Sequence, residues 1–144
     1  MRKNVLIIWL SLLIFCHAAS AELVDNKDGT VTDTETGLMW QQDEALYMNW
    51  ETALSYCEDL ELAGYDDWRL PNINELQSLV DYSKHNPAID TSFPNAESSG
   101  YWSSTTGSSN AVYAWIVYFL SGFVDGFSYD KSYSYYVRAV RSGQ

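Results

Sequence analysis

Gly64-Tyr65-Asp66-Asp67-Trp68-Arg69-Leu70-Pro71-Asn72-Ile73-Asn74-Glu75-Leu76 holds three local punctuation signals. Gly64 is placed to end a preceding helix, because glycine takes the left-handed position after a helix at little cost. Pro71 biases Leu70 toward extended backbone. Asn72 and Glu75 form the Asn-x-x-Glu pattern of a capping box and open a second helix. Two helices are therefore joined by an extended stretch carrying a tryptophan and an arginine. The roles expected there are structural: Trp68 in the core, and Arg69 paired with a carboxylate. Asp66 and Asp67 serve turn formation or pair with Arg69.

Working outward, Asn49 is a good N-cap for a first helix from Trp50 to Leu62. Trp50, Ala53, Leu54, Cys57 and Leu60 follow helical spacing on one face, which makes Cys57 a small buried hydrophobe. Glu51, Glu58, Asp59 and Glu61 lie on the solvated side. The second helix is expected from Ile73 to Tyr82, with Ile73, Leu76, Leu79 and Val80 facing inward. Helices of this size need a sheet to cover them. Upstream, Asp25 to Gly29 reads as a turn; Val24 stands where an EF-hand calcium loop would need its first acid. Thr30-Val31-Thr32 and Leu38-Met39-Trp40 form a small hairpin.

Downstream, Ser83 to Gly100 has no periodicity and is broken by Asn86, Pro87, Pro94 and Asn95, with Ile89 and Phe93 pinning it to the core. Irregular stretches of this length in a compact domain are often functional. Tyr101 to Thr105 reads as a strand. Ala111 to Leu120 suits a central strand buried on both faces, with Ser121-Gly122 as a two-residue turn into Phe123 to Tyr129. Tyr135 to Arg141 is the last strand. This order argues for α+β architecture, two helices packed on an antiparallel β-sheet with one long irregular loop.

The chain has 144 residues, and its start reads as separate from the fold. Arg2 and Lys3 precede an apolar run from Val5 to Phe15, broken only by Ser11 and too short to span a bilayer, and Ala19-Ser20-Ala21 is a small-x-small cleavage site. This predicts a signal peptide over residues 1–21 and a single domain over residues 22–144. A lipoprotein signal at Cys16 is disfavoured by the large Phe15 before it; an uncleaved anchor is the other alternative. Residues 22–144 contain six basic and nineteen acidic side chains, a formal net charge of −13. That field disfavours nucleic acid, anionic lipid and sulfated polymers, and is compatible with neutral glycans, cations or basic protein surfaces. After cleavage Cys57 is the sole cysteine, so no intrachain disulfide is available.

Taken together, Asp28-Gly29-Thr30-Val31-Thr32-Asp33, Thr36-Gly37-Leu38-Met39-Trp40-Gln41, Asp67-Trp68-Arg69-Leu70-Pro71 with Glu75-Leu76, Tyr101-Trp102-Ser103-Ser104, Gly122 and Val137-Arg138-Ala139-Val140-Arg141 resemble one bacterial family. It is the C-terminal domain family of the Legionella collagen-like protein, the Lcl C-terminal domain, whose general function is unassigned. Each motif is weak; the ordered set is fairly specific and covers nearly all of residues 22–144. The resemblance implies a C-type-lectin-like fold, related to formylglycine-generating enzymes and diversity-generating receptor proteins. Two departures count. Ala139 stands where the family often has a cysteine, which leaves Cys57 without a partner. The namesake adhesin binds sulfated polysaccharides, a ligand this acidic chain should not inherit.

Catalytic chemistry finds little support. His85 and Cys57 are the one histidine and one cysteine of residues 22–144, a helix-borne thiol and a loop-borne imidazole, and no zinc-ligand cluster, phosphate loop or nucleophile elbow is present. No cofactor is expected. Calcium is the one weighed: lectin sites flank a cis-proline with oxygen donors, and Phe93-Pro94-Asn95 offers the proline and one amide, with Asp90 and Glu97 nearby. Six to eight oxygens are needed, so Asp90, Asn95 and Glu97 are weak candidates. Tyr129, Tyr133, Tyr135 and Tyr136, interleaved with serines, have the chemistry of adaptable recognition surfaces, or else pack across strands. Trp40, Trp68, Trp102 and Trp115 are expected in the core, with Arg69, Arg138 and Arg141 in structural roles.

The reading that results is an exported, non-enzymatic recognition module, periplasmic, secreted or on the cell surface. It would bind a protein or neutral glycan through residues 83–110, with Asp90, Asn95, Glu97, Tyr133 and Tyr135 as candidate contacts and the segment 129–136 as a second surface. The alternative is a structural module that builds a homo-oligomer or envelope complex; an enzyme comes third.

Overall fold

The computed structural model describes residues 22–43, 45–127 and 129–143, so the predicted signal peptide over 1–21 lies outside the described residues. Around the opening stretch, the capping box forms as expected. The Asn72 side chain accepts from the Glu75 backbone N–H at 2.9 Å, and the Glu75 carboxylate accepts from the Asn72 N–H at 2.8 Å. These bonds satisfy two of the donors that a helix start leaves open.

Gly64 does a different job from the one expected. The first helix, α1 (Trp50–Glu58), ends with Asp59 in right-handed geometry, short of Leu62. Leu62 and Tyr65 then bond reciprocally, N–H to carbonyl, at 3.1 and 3.0 Å across Ala63 (φ 56°) and Gly64 (φ 81°). Two successive positive φ values are the signature of a tight type I′ hairpin turn. The second helix, α2 (Ile73–Ser78), is also shorter than its apolar spacing predicts, ending with Leu79 in right-handed geometry. Val80 beyond it pairs with Ile89 instead of continuing the helix.

The strands form two sheets rather than one. β1 (Leu23–Asp25), β2 (Thr30–Asp33), β3 (Leu38–Gln41) and β9 (Val140–Ser142) make a four-stranded antiparallel sheet in the order β1-β2-β3-β9. β4 (Ala45–Met48), β5 (Gly100–Thr106), β6 (Ala114–Tyr118), β7 (Phe123–Asp125) and β8 (Tyr135–Val137) make a five-stranded sheet in the order β4-β8-β5-β6-β7. Only the β5–β8 pairing is parallel. Sequence pattern foresaw the β2–β3 hairpin but not β1 or β4.

The single closing strand expected over Tyr135 to Arg141 is split at Arg138-Ala139, and its halves belong to different sheets. The cause is side-chain capture of the backbone. Gln41 Oε1 accepts from the Ala139 N–H at 3.1 Å, and the Gln41 N–H donates to the Ala139 carbonyl at 3.0 Å. The buried Arg138 guanidinium donates to the carbonyls of Gln41 and Gln42. β6 is likewise shorter than Ala111 to Leu120, because residues 111 and 112 turn and Phe119 to Gly122 form a four-residue connection to β7 in place of a two-residue one.

Two cores result, one on each face of the five-stranded sheet. Val31, Trp40, Leu76, Leu79, Ile89, Phe93, Tyr101, Val117, Phe119 and Val140 fill the first, between the two sheets and under α2. Ala53, Cys57, Trp68, Leu70, Trp102, Ile116 and Val137 fill the second, under α1. Trp40, Trp68 and Trp102 are buried as expected. Trp115 corrects its expectation: it is half-buried, lying over Gly126 and tilted against Phe127 at 5.7 Å.

The arginines tie the opening stretch to this frame. Arg69 forks onto Glu75 with bonds of 2.8 and 2.7 Å, so its carboxylate is the capping-box residue and not Asp66 or Asp67. Asp67 pairs instead with Arg141, whose Nε lies 2.6 Å from it and whose guanidinium stacks 3.7 Å from the Tyr65 ring. The Arg69 backbone bonds reciprocally to Val140, which fastens the stretch to β9.

Candidate functional site

The irregular segment after α2 folds back on itself through its acids. Asp81 accepts from the Ser83 N–H and hydroxyl at 3.0 and 2.5 Å, and its own N–H donates to the Ala88 carbonyl. Lys84 Nζ then bridges Asp81 at 2.8 Å and Asp90 at 3.2 Å. Asp90 in turn accepts from the Ser92 N–H at 2.8 Å and its hydroxyl at 2.7 Å. On its other side the segment bonds to the end of β6, with the N–H groups of Asn86 and Ala88 donating to the carbonyls of Leu120 and Phe119. Ile89 and Phe93 are buried and form the base, as the sequence predicts.

The product is a groove of about 580 Å³, lined by Lys84, His85, Pro87, Ile89, Phe93 and Pro94, with Ser83, Asp90 and Thr91 at its sides. A second hollow of about 370 Å³ adjoins it through Asp90 and is lined by Asp33, Glu35, Asp81 and Tyr82 among others. The first is floored by apolar side chains; the second is acidic.

Electrostatics hold the segment in shape. The Lys84 ammonium, then the Ser83 donors, pull the Asp81 carboxyl down to about 2. The Ser92 backbone donor, with help from the Ser92 hydroxyl and Lys84, lowers Asp90. Outside the groove, Arg69 lowers Glu75 and Arg141 lowers Asp67. Carboxyls depressed on folding contribute stability fully present above their ordinary range, near 4, and lost as pH falls through the folded values. Thermal midpoints are therefore expected to hold from pH 7 to 5 and to fall progressively from pH 4 toward 2. A midpoint at pH 2.5 equal to that at pH 7 would contradict this.

Of the candidate contacts, only Asp90 lines the groove. Asn95 points its amide to Asp43 at 2.8 Å, and Glu97 is exposed while its N–H donates to the Tyr101 hydroxyl. The cis peptide bond is Asn86–Pro87 rather than the one preceding Pro94. Among the described residues no group of three His, Cys, Asp or Glu side chains is placed to hold a metal ion.

The tyrosine-rich stretch is divided. Tyr133 is exposed. Tyr135 is half-buried, edge-on to Trp102 at 4.8 Å and to Tyr129 at 5.4 Å. Tyr136 stacks on Tyr101 at 5.5 Å. Sequence reasoning missed Tyr47, an exposed ring edge-on to Tyr136 at 4.6 Å whose hydroxyl bonds Ser99. Ala45 to Met48 is a run of four apolar or aromatic residues without alternation, too short to mark a strand.

Cys57 and His85 are not brought together. His85 is exposed at the groove, whereas Cys57 is fully buried under α1, where burial pushes its thiol up to about 12. A thiol so protonated is a poor nucleophile. Folded protein at pH 8 is expected to resist iodoacetamide, with alkylation appearing on denaturation; rapid labelling of the native state would contradict the burial.

Fold and site thus define an α+β domain with a loop-borne groove and a structural frame of buried tryptophans and paired arginines. The model of the Lcl C-terminal domain matches residues 29–141, and the chain belongs to that family. No curated protein matches the chain. Among the described residues no helix is long and apolar enough to cross a membrane.

Proposed function

We propose that the chain is an exported, non-enzymatic recognition module with a C-type-lectin-like fold, binding a protein or neutral glycan through the segment 83–110. The observation that carries this reading is the groove of about 580 Å³, built on a loop whose base is fixed in the core and whose sides are fixed by ion pairs. Pre-formed concave sites with an apolar floor and a few polar groups are the usual form of binding sites, and loops on a rigid scaffold commonly carry recognition. Export rests on the signal-like residues 1–21, which would place the domain in the periplasm, at the cell surface or outside the cell. The exposed Tyr133 and Tyr47 offer a second contact surface.

The first test is a mixed glycan array probed in calcium and again with chelator. Binding lost in chelator would make recognition metal-dependent, with Asp90 the first of the three oxygen-donor candidates to mutate. Binding kept in chelator would direct mutation to Tyr133 and Tyr47. Absence of glycan binding, together with absence of any protein captured on the groove, would contradict the reading.

A further inference from the structure

We infer that the groove takes an apolar side chain from a peptide segment of a partner protein, and that Lys or Arg residues flanking that side chain lie over the adjoining acidic hollow. This rests on the recognition reading above and narrows its ligand class.

Three observations favour a peptide over a sugar. First, the groove offers no open Trp, Tyr or Phe face for a pyranose ring. Apart from the small imidazole of the exposed His85, its aromatic lining residue is Phe93, which is 2 % exposed, with the Arg138 guanidinium 4.5 Å from its ring. Second, the charged lining groups are already engaged. Lys84 is held by Asp81 and Asp90, and Asp90 by Ser92, so the ammonium and carboxylate that would grip sugar hydroxyls are committed within the loop, leaving His85 and Thr91 as the exposed polar side chains. What remains is an apolar surface of Pro87 and Pro94 laid over the buried Ile89 and Phe93, which suits a leucine- or phenylalanine-like anchor.

Third, charge sets what must flank that anchor. The second hollow meets the groove at Asp90 and carries Asp33, Glu35 and Asp81 besides, against Lys84 as the cation nearby. Tyr82, 66 % exposed, lines the same hollow and presents a ring to a cation. A net charge of −13 over residues 22–144 adds a long-range field of the same sign. An anchor with acidic flanks would be repelled, and one with neutral flanks would gain nothing from the hollow.

The test uses protein expressed with residues 1–21 in place and purified from the host. Fluorescein-labelled twelve-residue peptides carry one central Leu or Phe flanked by Lys/Arg, by Ser/Gly, or by Glu, and a fourth set keeps the basic flanks without the anchor. Anisotropy should rise for the basic anchored set alone, with affinity falling at least about tenfold between 50 and 500 mM salt. Thr91→Trp fills the groove from an exposed position and should abolish binding with an unchanged melting midpoint. Glu35→Lys should weaken binding several-fold and leave the anchor preference intact.

Equal binding of the anchorless basic set, or binding indifferent to Thr91→Trp, would overturn the inference in favour of unspecific charge attraction. If no peptide binds but an array glycan does and Thr91→Trp removes it, the inference falls while the recognition reading stands. If neither class binds, the inference falls, and the recognition reading falls with it when no protein is captured on the groove either.

Discussion

Trp102→Ala is expected to destabilise the protein by about 3–5 kcal/mol, the range for deleting a fully buried large aromatic. The indole has no exposed surface and sits among Cys57, Trp68 and Ile116 in the core under α1. It does three things at once. It fills the space between α1 and β5, it packs edge-on against Tyr135 at 4.8 Å, and its N–H donates to the Met48 carbonyl at 3.0 Å. Alanine leaves a cavity and an unsatisfied carbonyl beside β4, and both costs add to the lost burial. With total stabilities of about 5–15 kcal/mol for domains of this kind, the variant should melt roughly 10 °C or more below the parent. Trp115→Ala is the internal comparison. Its ring is half-exposed, so the loss should be well below that of Trp102→Ala. Equal midpoints for Trp102→Ala and the parent in chemical denaturation would refute the core assignment.

Gly122→Ala is expected to be nearly as damaging, for a different reason. Gly122 closes the connection between β6 and β7 with φ +78°, a conformation that costs a residue with a Cβ about 1–2 kcal/mol. A Cβ there would also stand 2.4 Å from Val80 Cγ1 and 3.0 Å from the Tyr82 ring. Overpacking of this kind adds about 1–3 kcal/mol. The damage reaches the site, because Val80 pairs with Ile89 at the groove floor and Tyr82 lines the acidic hollow. The expected result is a lower unfolding midpoint together with weakened groove binding, whereas Thr91→Trp should change binding alone. A Gly122→Ala protein with parental stability would contradict the close packing of this turn against the loop.

Local chemistry was the legible part of the fold. The capping box at Asn72 and Glu75, the Asn49 cap of α1 and the burial of Trp40, Trp68, Trp102 and Cys57 depend on neighbours within a few residues or on simple periodicity. The errors arose where distant chain segments decided the outcome. Val137, Ala139 and Val140 read as one apolar strand, yet Gln41, 98 residues before Ala139, captures the backbone there and sends the two halves to different sheets. Ala63 at φ 56° gives no sequence signal, so the turn it makes with Gly64 read as a helix end.

The groove was legible in position but not in composition. A long unperiodic segment after α2 pointed to residues 83–100, and the groove lies there. Its sides depend on Lys84 reaching both Asp81 and Asp90, which requires a chain reversal that periodicity does not encode. Asn95 flanks Pro94 in the pattern of a lectin calcium site, with Asp90 and Glu97 as nearby oxygen donors, and the fold turns Asn95 toward Asp43. Tyr129 and Tyr135 had a composition suited to recognition, but the fold packs them against each other, with Tyr135 also against Trp102.

The most direct test of the central claim is a map of amide chemical-shift changes in ¹⁵N-labelled protein on addition of the basic anchored peptide. The account predicts changes concentrated at residues 81–94 and around Glu35, with the amides of β8 and α1 undisturbed. Changes centred on Tyr129 to Tyr136, or none at saturating peptide, would contradict it.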